Sequence, residues 1–287
     1  MKRTIGRIIL SPAFQRSLLG AATRSLVRAT DSIYQYSPQF KLDMQVLERG
    51  HYAYCMMRAA DLAKRLGHDR VSAIEFGVAG GNGLAFMCDF AKEVKEATGV
   101  QVECYGFDTG AGMPPPEGSR DLPYWFQAQQ YVMDEDALRK RVPQAHLVLG
   151  DIKDSIAGFI EEHNPPPIGA VFNDTDYWSS TRESFRLFNQ ARTHPQNFLP
   201  RAFLYLDDII GSDTEMYGPY NGQLLAMHEY NDSQDDVKIH LNQNLRAFDH
   251  LSWRWQIYYA HFFAHPDYDT YIGTARQEQM EAALKLK

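Results

Sequence analysis

Four aspartates stand directly after two apolar stretches in the second half of the chain. Asp174 and Asp176 follow one stretch, and Asp207 and Asp208 follow the other. Carboxylates brought together in one cleft repel one another, so they must be solvated, protonated or neutralised. A hard divalent cation with oxygen ligands, most simply Mg²⁺, would neutralise them and could orient and acidify a hydroxyl group. A carboxylate outside the metal shell could then accept the hydroxyl proton.

These acids also have a structural interpretation. Asp176 and Asp208 could each cap the N-terminus of a following helix, as aspartates commonly do. For one aspartate alone we would adopt that interpretation. For four acids in matching positions after two apolar stretches, we favour the metal-assisted reaction at a hydroxyl.

A glycine-rich turn follows an earlier apolar stretch. Gly77, Gly80, Gly81 and Gly83 come just after Glu75. Glycines allow a tight turn and let a ligand approach the N-terminus of the next helix. No register of these residues supplies the Gly-x-Gly-x-x-Gly pattern of nicotinamide-binding proteins. Glu75 instead fits a cofactor whose ammonium and carboxylate groups lie near the turn, although the turn alone could be structural.

Two more carboxylates stand at expected strand ends. Asp108 ends the run Tyr-Gly-Phe-Asp, where it could accept hydrogen bonds from both hydroxyls of a ribose. This position indicates a cofactor that contains adenosine. Asp151 ends the next apolar run, where the amine of adenine would lie, but it could equally be the N-cap of the following helix.

Short apolar runs alternate with segments of helical periodicity, which predicts an α/β fold with right-handed crossovers and a mainly parallel sheet. In such sheets ligands bind beyond the carboxyl ends of the strands. The aromatic segment 253 to 271 should supply the last, antiparallel strands and lie in the core or a subunit interface. We predict strands at 71 to 76, 102 to 107, 146 to 149, 168 to 172, 202 to 206 and 236 to 240, and helices at 13 to 34, 46 to 67, 82 to 97, 134 to 142, 152 to 162, 179 to 192 and 221 to 230.

At this point the sequence resembles the macrocin and novobiocin-type O-methyltransferases, class I enzymes that use S-adenosylmethionine to methylate sugar hydroxyls in antibiotic biosynthesis. The resemblance covers about residues 70 to 212. Its motifs occur in the family's order and are Glu75-Phe-Gly-Val-Ala-Gly-Gly, Tyr105-Gly-Phe-Asp-Thr-Gly-Ala-Gly-Met-Pro, Asp174-Thr-Asp-Tyr-Trp-Ser-Ser-Thr and Asp207-Asp208. The chain departs from the family at Trp178, where the family has tyrosine, and at Asn173, where it has an apolar residue.

The resemblance implies a Rossmann-like class I methyltransferase fold, with a seven-stranded sheet, helices on both faces and additional N-terminal helices. It implies S-adenosylmethionine and Mg²⁺ as cofactors and a natural product, such as a sugar, as acceptor. It also assigns roles to particular residues: Asp176 as general base, Asp174, Asp207 and Asp208 as metal ligands, and Glu75, Gly77, Gly81, Asp108 and Asp151 as cofactor-binding residues.

Two other functions remain open at this stage. A metal-independent methyltransferase acting on a nitrogen or carbon centre would bind the cofactor equally well. A cofactor-binding partner protein without catalysis would gain nothing from four crowded acids. We therefore predict O-methylation of a hydroxyl on a small molecule.

Composition limits the other possibilities. The net charge of −7 argues against a nucleic-acid partner, because such proteins need clustered cations to displace counterions. No run approaches the roughly 20 apolar residues that span a bilayer, and the apolar piece at residues 8 to 10 is cut short by Pro12. The cysteines form no CxxC pair, which favours core thiols in a reducing compartment. We predict a cytoplasmic protein, and the aromatic tail leads us to predict a homodimer.

The chain divides into a basic N-terminal helical arm, residues 1 to 45, and a methyltransferase domain, residues 46 to 287. The arm could lie on a membrane or be a transit peptide. We favour an arm that packs on an acidic partner subunit or on the domain itself. Its first 30 residues contain no acid and six bases, Lys2, Arg3, Arg7, Arg16, Arg24 and Arg28.

A long segment, residues 109 to 133, separates the second strand from the next helix. It contains three consecutive prolines and several aromatic residues. Loops of this length are often lids. We predict a lid over the acceptor site, with simple packing of the aromatics on the domain as an equal alternative.

Overall fold

The computed structural model describes residues 11 to 273 and 275 to 284. Its seven strands form one sheet in the order β3-β2-β1-β4-β5-β7-β6. Strand β7 is antiparallel to both of its neighbours, and the pairs among β1 to β5 are parallel. The strands are β1 Arg70–Phe76, β2 Gln101–Asp108, β3 His146–Leu149, β4 Ile168–Asn173, β5 Phe198–Leu206, β6 Val237–Leu241 and β7 Ile257–Phe262.

The helices alternate with the strands, as the predicted crossovers require. Short 3₁₀ turns lie at Ser119–Asp121, Gln190–Arg192, Pro195–Asn197 and Gln243–Ala247. The α-helices of the described residues are α1 Pro12–Arg16, α2 Leu18–Tyr34, α3 Pro38–Asp43, α4 Gly50–Arg65, α5 Asn82–Thr98, α6 Glu135–Arg141, α7 Ile152–Ser155, α8 Phe159–His163, α9 Trp178–Ser184, α10 Arg186–Asn189, α11 Gly222–Ser233 and α12 Ala275–Leu284.

The predicted α/β class and mainly parallel sheet are confirmed, and three predicted helices are divided. The first breaks at Ser17, whose extended backbone and side chain cap α2 by accepting a hydrogen bond from the Gly20 amide. The helix predicted at 152 to 162 becomes α7 and α8, and that at 179 to 192 becomes α9, α10 and a 3₁₀ turn. Apolar periodicity continues across such breaks, so it does not reveal them.

The C-terminal segment supplies one antiparallel strand rather than several. β7 lies between β5 and β6, and both β5 and β6 run opposite to it. The side chains of Tyr258 and Phe262 are buried. The prediction that these aromatics belong to the core is therefore confirmed, because β7 is an inner strand of the sheet.

Strand register determines which side chains meet at the carboxyl edge. Phe76 of β1 pairs with Asn173 of β4, which pairs in turn with Leu206 of β5. The residues that follow these strands therefore start from neighbouring positions. The ladder also continues, since the Asp174 amide donates to the Phe76 carbonyl at 2.9 Å and the Asp207 amide donates to the Asn173 carbonyl at 3.0 Å.

Helix α4 connects the N-terminal segment to the sheet. Nine of its side chains are buried, and it contacts β1, β4 and β5. Its first turn lies at the carboxyl edge, where the Tyr52 ring stacks on Phe172 with centroids 4.1 Å apart. This packing brings residues from before the sheet into the region of the four aspartates.

Two basic residues of the N-terminal segment, Arg16 and Arg28, contact residues beyond it, whereas Arg24 donates to Gln15 within it. Arg16 pairs with Asp249 at 2.7 Å, and Arg28 donates to the carbonyl groups of Gln45 and Val46. Lys2, Arg3 and Arg7 lie outside the described residues. Packing of this segment on the domain fits the interpretation that we favoured, and the boundary at residue 45 stays a prediction.

The three cysteines are buried free thiols, as predicted. Cys55 lies in α4, Cys88 in α5 and Cys104 in β2. Among the described residues, no helix combines the length and the apolar character that crossing a membrane requires.

Candidate active site

Three of the four aspartates form a compact group at the ends of β4 and β5. Asp174, Asp207 and Asp208 each offer a carboxylate oxygen, and these oxygens lie within 4.8 Å of one another. Oxygens bound to one Mg²⁺ lie at most about 4.2 Å apart, twice the usual metal–oxygen distance. The group therefore fits a divalent cation after small side-chain adjustments.

Asp208 is held in place from three sides. Tyr217 donates its hydroxyl to Asp208 Oδ1 at 3.2 Å. Gln223 donates to Oδ2 at 3.3 Å, and the Asp176 amide donates to the same oxygen at 3.0 Å. These contacts fix the carboxylate and also attach the Asp176 backbone to the acid group. Asp208 begins no helix, so the capping alternative for this residue is wrong.

Asp176 lies beside the three-acid group and has a left-handed backbone, with φ of 60°. This conformation is uncommon for residues other than glycine. It turns the chain between β4 and α9. The N-cap of α9 is Tyr177, so Asp176 does not cap that helix either.

Asp207 is oriented by an aromatic neighbour. The Tyr205 hydroxyl donates to Asp207 Oδ1, and Gln256 donates to the Asp207 carbonyl at 2.8 Å. The Tyr205 ring in turn stacks on His51, with centroids 4.4 Å apart. The start of α4 thus supports Asp207 through the Tyr205 ring.

The pKa values show that negative charge accumulates here. Burial, followed by the carboxylates of Asp174 and Asp207, raises the pKa of Asp176 to about 8. Burial raises the pKa of Asp174 well above its usual range, and Asp207 adds to the effect. The pKa of Asp208 is raised by burial and then by Asp176. Such crowding favours the binding of a cation.

Asn173, where the resembled family has an apolar residue, belongs to a buried polar network. Its side-chain oxygen accepts hydrogen bonds from Thr175 at 2.7 Å and from Gln223 at 3.2 Å. Its amide nitrogen donates to Ser184 of α9. The network joins the end of β4 to α9 and, through Gln223, to α11 and Asp208. The departure therefore changes local packing and supports the acid group.

Trp178, the second departure, lies on the surface of α9. The guanidinium groups of Arg120 and Arg182 lie 5.0 and 4.5 Å from its ring centroid. Its indole nitrogen donates to Glu229 at 2.7 Å. Trp178 thus ties α9 to α11, whereas Tyr177 is fully buried beneath the long loop.

Two glycines of the glycine turn, Gly77 and Gly81, have left-handed backbones. Gly77 has φ of +85°, and a Cβ atom there would lie 1.8 Å from the Asp174 carbonyl oxygen. Glycine is therefore required for β1 to approach the acid-bearing segment. Gly81, with φ of +80°, is the N-cap of α5 and lines the cleft that contains the four aspartates.

Glu75 is a buried carboxyl with one oxygen unsatisfied. Tyr52 donates its hydroxyl to Glu75 Oε1 at 2.6 Å, while Oε2 is buried without a hydrogen-bond partner. Burial raises the pKa of Glu75 to about 7. Arg49 opposes this shift in Glu75 and in Asp174.

Asp108 joins the glycine turn to the end of β2. Its Oδ2 accepts hydrogen bonds from the amides of Val78 and Ala79 at 2.9 and 2.8 Å. Its Oδ1 accepts one from the Gly110 amide at 2.7 Å. This leaves hydrogen-bonding capacity on Oδ1, toward a hollow that Asp108 lines together with Phe107 and Met113.

Asp151 is exposed and is the N-cap of α7, where its side chain accepts a hydrogen bond from the Lys153 amide at 2.9 Å. Its neighbour Ile152 lines the hollow. Of the two interpretations left equal for Asp151, the structure shows capping. A contact with adenine stays a prediction.

The hollow adjoins a larger cleft of about 440 Å³ that contains the acids. Gly77, Tyr131, Asp174 and Asp176 line both spaces. Two reactants could therefore meet at Asp174 and Asp176.

The long loop 109 to 133 is pinned near its middle. The buried Asp121 accepts hydrogen bonds from the amide and hydroxyl of Ser179, both at 2.8 Å. Phe126 packs on Tyr177, whereas Trp125 and Tyr131 are 43% and 57% exposed. Parts of both predicted arrangements are present, since one aromatic packs on the domain and two lie open at the cleft.

Sequence reasoning missed several supporting residues of the site, among them Arg49, Tyr52, Tyr217 and Gln223. Arg49 and Tyr52 begin α4, far from the motifs, and Tyr217 and Gln223 follow the β5 acids at no recognisable spacing. The aromatic and polar residues between 215 and 223 were the only available signal, and their partners became clear only from tertiary packing.

Comparison with solved structures identifies similar folds. A calicheamicin methyltransferase, CalS11, is similar over 86% of this chain and 93% of its own length, with a TM-score of 0.51 and 14% identity. The O-methyltransferase NovP is similar over 72% of this chain and 77% of its own, with a TM-score of 0.46 and 14% identity. No protein-family model and no curated protein matches the sequence. The likeness to CalS11 shows that this chain has the Rossmann-like class I methyltransferase fold, which confirms the predicted resemblance at the level of the fold.

Proposed function

We propose that the protein is an S-adenosylmethionine-dependent methyltransferase that methylates a hydroxyl of a small molecule with the help of Mg²⁺. The observation that carries the proposal is the group of Asp174, Asp207 and Asp208, with Asp176 beside it, at the edge of the glycine-turn hollow. The names of CalS11 and NovP, a methyltransferase and an O-methyltransferase, agree with this chemistry.

The residues fit the cofactor in two places. The unpartnered, buried Oε2 of Glu75 is suited to an ammonium group, because an unsatisfied buried carboxylate oxygen gains from a charged donor. The free capacity of Asp108 Oδ1 is suited to a ribose hydroxyl. Gly77 and Gly81 keep the approach to the turn open. When bound, S-adenosylmethionine supplies a methyl group on a positively charged sulfur.

Asp174, Asp207 and Asp208 would hold Mg²⁺, which when bound lowers the pKa of a hydroxyl and neutralises the carboxylates. Asp176 would accept the proton of the acceptor hydroxyl. The acceptor oxygen then bonds to the methyl carbon as the methyl–sulfur bond breaks, so the products are a methyl ether and S-adenosylhomocysteine. Holding the two reactants aligned at one edge of the sheet would supply much of the rate enhancement. The reactants lose translational and rotational entropy when they bind, so this loss no longer adds to the activation barrier.

The test is calorimetric titration with S-adenosylhomocysteine and with Mg²⁺. We expect micromolar binding of S-adenosylhomocysteine by the wild type and by Asp174→Asn, and at least tenfold weaker Mg²⁺ binding by that variant. Asp232→Asn, an equal change at an exposed position of α11, should behave as the wild type. A wild type that binds no S-adenosylhomocysteine would refute the proposal, and equal Mg²⁺ affinity in all three proteins would refute the assigned metal site.

The cytoplasmic location, the natural-product acceptor and the homodimer stay predictions. Light scattering of the purified chain measures the mass directly. A mass of one chain at micromolar concentration would contradict the homodimer.

A further inference from the structure

The charge of the side chains that line the acid cleft limits which acceptors can bind there. Among the described residues, six carboxyl side chains and one cationic side chain line this cleft. The carboxyl groups belong to Glu75, Asp174, Asp176, Asp207, Asp208 and Glu215, and the cation is Arg49.

Arg49 offsets only a small part of this negative charge. It acts electrostatically on Glu75 and Asp174, and its guanidinium lies 5.2 Å from the Tyr52 ring centroid. Its single charge balances one of the six carboxylates. With all six carboxyl groups ionised, a bound Mg²⁺ and the single net positive charge of S-adenosylmethionine would compensate only three of the five net negative charges.

Besides the glycine turn, four aromatic side chains in the described part of the chain line the cleft. Phe126 and Tyr217 lie close to the acids, and Tyr217 donates to Asp208. Trp125 and Tyr131 stand at the opening, about half exposed. Large exposed aromatic faces beside a cleft commonly mark a binding surface.

Trp125 and Tyr131 belong to the part of the long loop that follows Asp121. Tyr124 donates its hydroxyl to the Glu215 carbonyl at 2.7 Å, which holds the segment across the opening. Within the loop, Met113 and Gln129 share a backbone hydrogen bond of 2.9 Å. The aromatic faces are thus placed over the acids without being covered by protein.

We propose that the acceptor is a hydroxylated aromatic compound without phosphate or carboxylate groups, whose ring packs on Trp125 and Tyr131. This acceptor class rests on the proposed function and specifies its substrate. An aromatic ring gains contact with the open side chains, and a neutral or positively charged compound avoids the repulsion that phosphate would meet. A nucleoside-diphosphate sugar would bring at least two negative charges into a cleft in which, among the described residues, six carboxyl groups face one cation.

The test uses three dihydroxybenzenes that differ chiefly in charge: methyl 3,4-dihydroxybenzoate, 3,4-dihydroxybenzylamine and 3,4-dihydroxybenzoate. Each is titrated calorimetrically into the protein saturated with S-adenosylhomocysteine and Mg²⁺, with thymidine-diphosphate rhamnose as a fourth probe. We expect the neutral ester and the cationic amine to bind with at least tenfold lower Kd than the anion or the nucleotide sugar.

Variants of the aromatic wall separate stacking from general damage. Trp125→Leu should weaken binding of the ester at least fivefold, and Trp125→Phe should restore most of it. Both should bind S-adenosylhomocysteine as the wild type does. Tyr34→Leu, which changes an exposed ring on α2, is the matched control and should alter neither affinity.

The outcomes are distinct. Failure of the wild type to bind S-adenosylhomocysteine refutes the proposed function itself. If it binds, then tighter or equal binding of the anion or of the nucleotide sugar overturns the inference about the acceptor. Absence of binding by all three dihydroxybenzenes at millimolar concentration overturns it as well.

Discussion

Replacing Glu75 by glutamine should make the protein more stable at alkaline pH while weakening cofactor binding. The carboxyl is 1% exposed, and burial raises its pKa from 4.5 to about 7. A group whose pKa is raised by folding gives its full stability below the unfolded pKa and loses it as the pH rises through the folded pKa. The wild type therefore loses stability between about pH 4.5 and pH 7, and glutamine does not titrate.

The magnitude follows from the two pKa values. With 1.36 kcal/mol per pKa unit, the loss is about 1 kcal/mol by pH 5.5 and about 3 kcal/mol by pH 8.5. The advantage of Glu75→Gln over the wild type should thus grow by about 2 kcal/mol between these pH values. Comparing the difference at two pH values removes the constant cost of burying the amide, and titrations of groups that Glu75 does not influence cancel. Asp174, whose pKa the Glu75 charge raises, changes the difference in the same direction.

Urea denaturation followed by circular dichroism, in the presence of a chelator, measures this difference. Glu96→Gln, an exposed position of α5, is the control and should differ from the wild type by less than about 0.5 kcal/mol at both pH values. An advantage of Glu75→Gln that stays constant or shrinks with rising pH would refute the assignment of Glu75 as a strained buried acid. At pH 8.5 the variant should also bind S-adenosylhomocysteine about tenfold more weakly, since it lacks the charge that receives the ammonium.

Three other substitutions test separate parts of the site. Asp176→Asn should lower kcat at least 100-fold, about the contribution of a general base, with unchanged affinity for S-adenosylhomocysteine; a smaller loss would assign the proton to another group. Gly77→Ala, where a Cβ would lie 1.8 Å from a backbone oxygen, should cost at least about 3 kcal/mol in urea denaturation. Gly67→Ala, with a similar φ and open space around it, should cost only about 1 kcal/mol, and equal costs would contradict the steric argument. Asn173→Ala should cost about 2 kcal/mol through unsatisfied buried partners, and a cost below about 0.5 kcal/mol would show that the network is dispensable.

The acids could be located from the sequence because a general rule of parallel sheets applies to them. Strands of one sheet end at the same edge, so residues that directly follow two neighbouring strands start close together. Asp174 and Asp207 satisfy this rule through a single register pair. Gly77 was likewise recognisable, because a tight turn after β1 requires a left-handed backbone.

The supporting residues could not be located in this way. Tyr52 reaches Glu75 because α4 packs across β1, β4 and β5, and this long-range packing leaves no local pattern in the sequence. Gln223 resembles any polar residue of a surface helix, yet it is fully buried between Asn173 and Asp208. Such residues are identified by their partners, and the partners depend on the complete fold.

The position of Asp121 has a consequence for how this fold can change over evolutionary time. Because Asp121 fastens the long loop to Ser179 at the start of α9, the half of the loop that carries Trp125 begins after a fixed point. Changes at the exposed positions of residues 123 to 132 leave the buried Leu122 and Phe126 packed on Tyr177, so we expect them not to displace Asp176. Selectivity and reactivity can therefore diverge independently, and a grafted loop from a related enzyme offers a practical route to new acceptors.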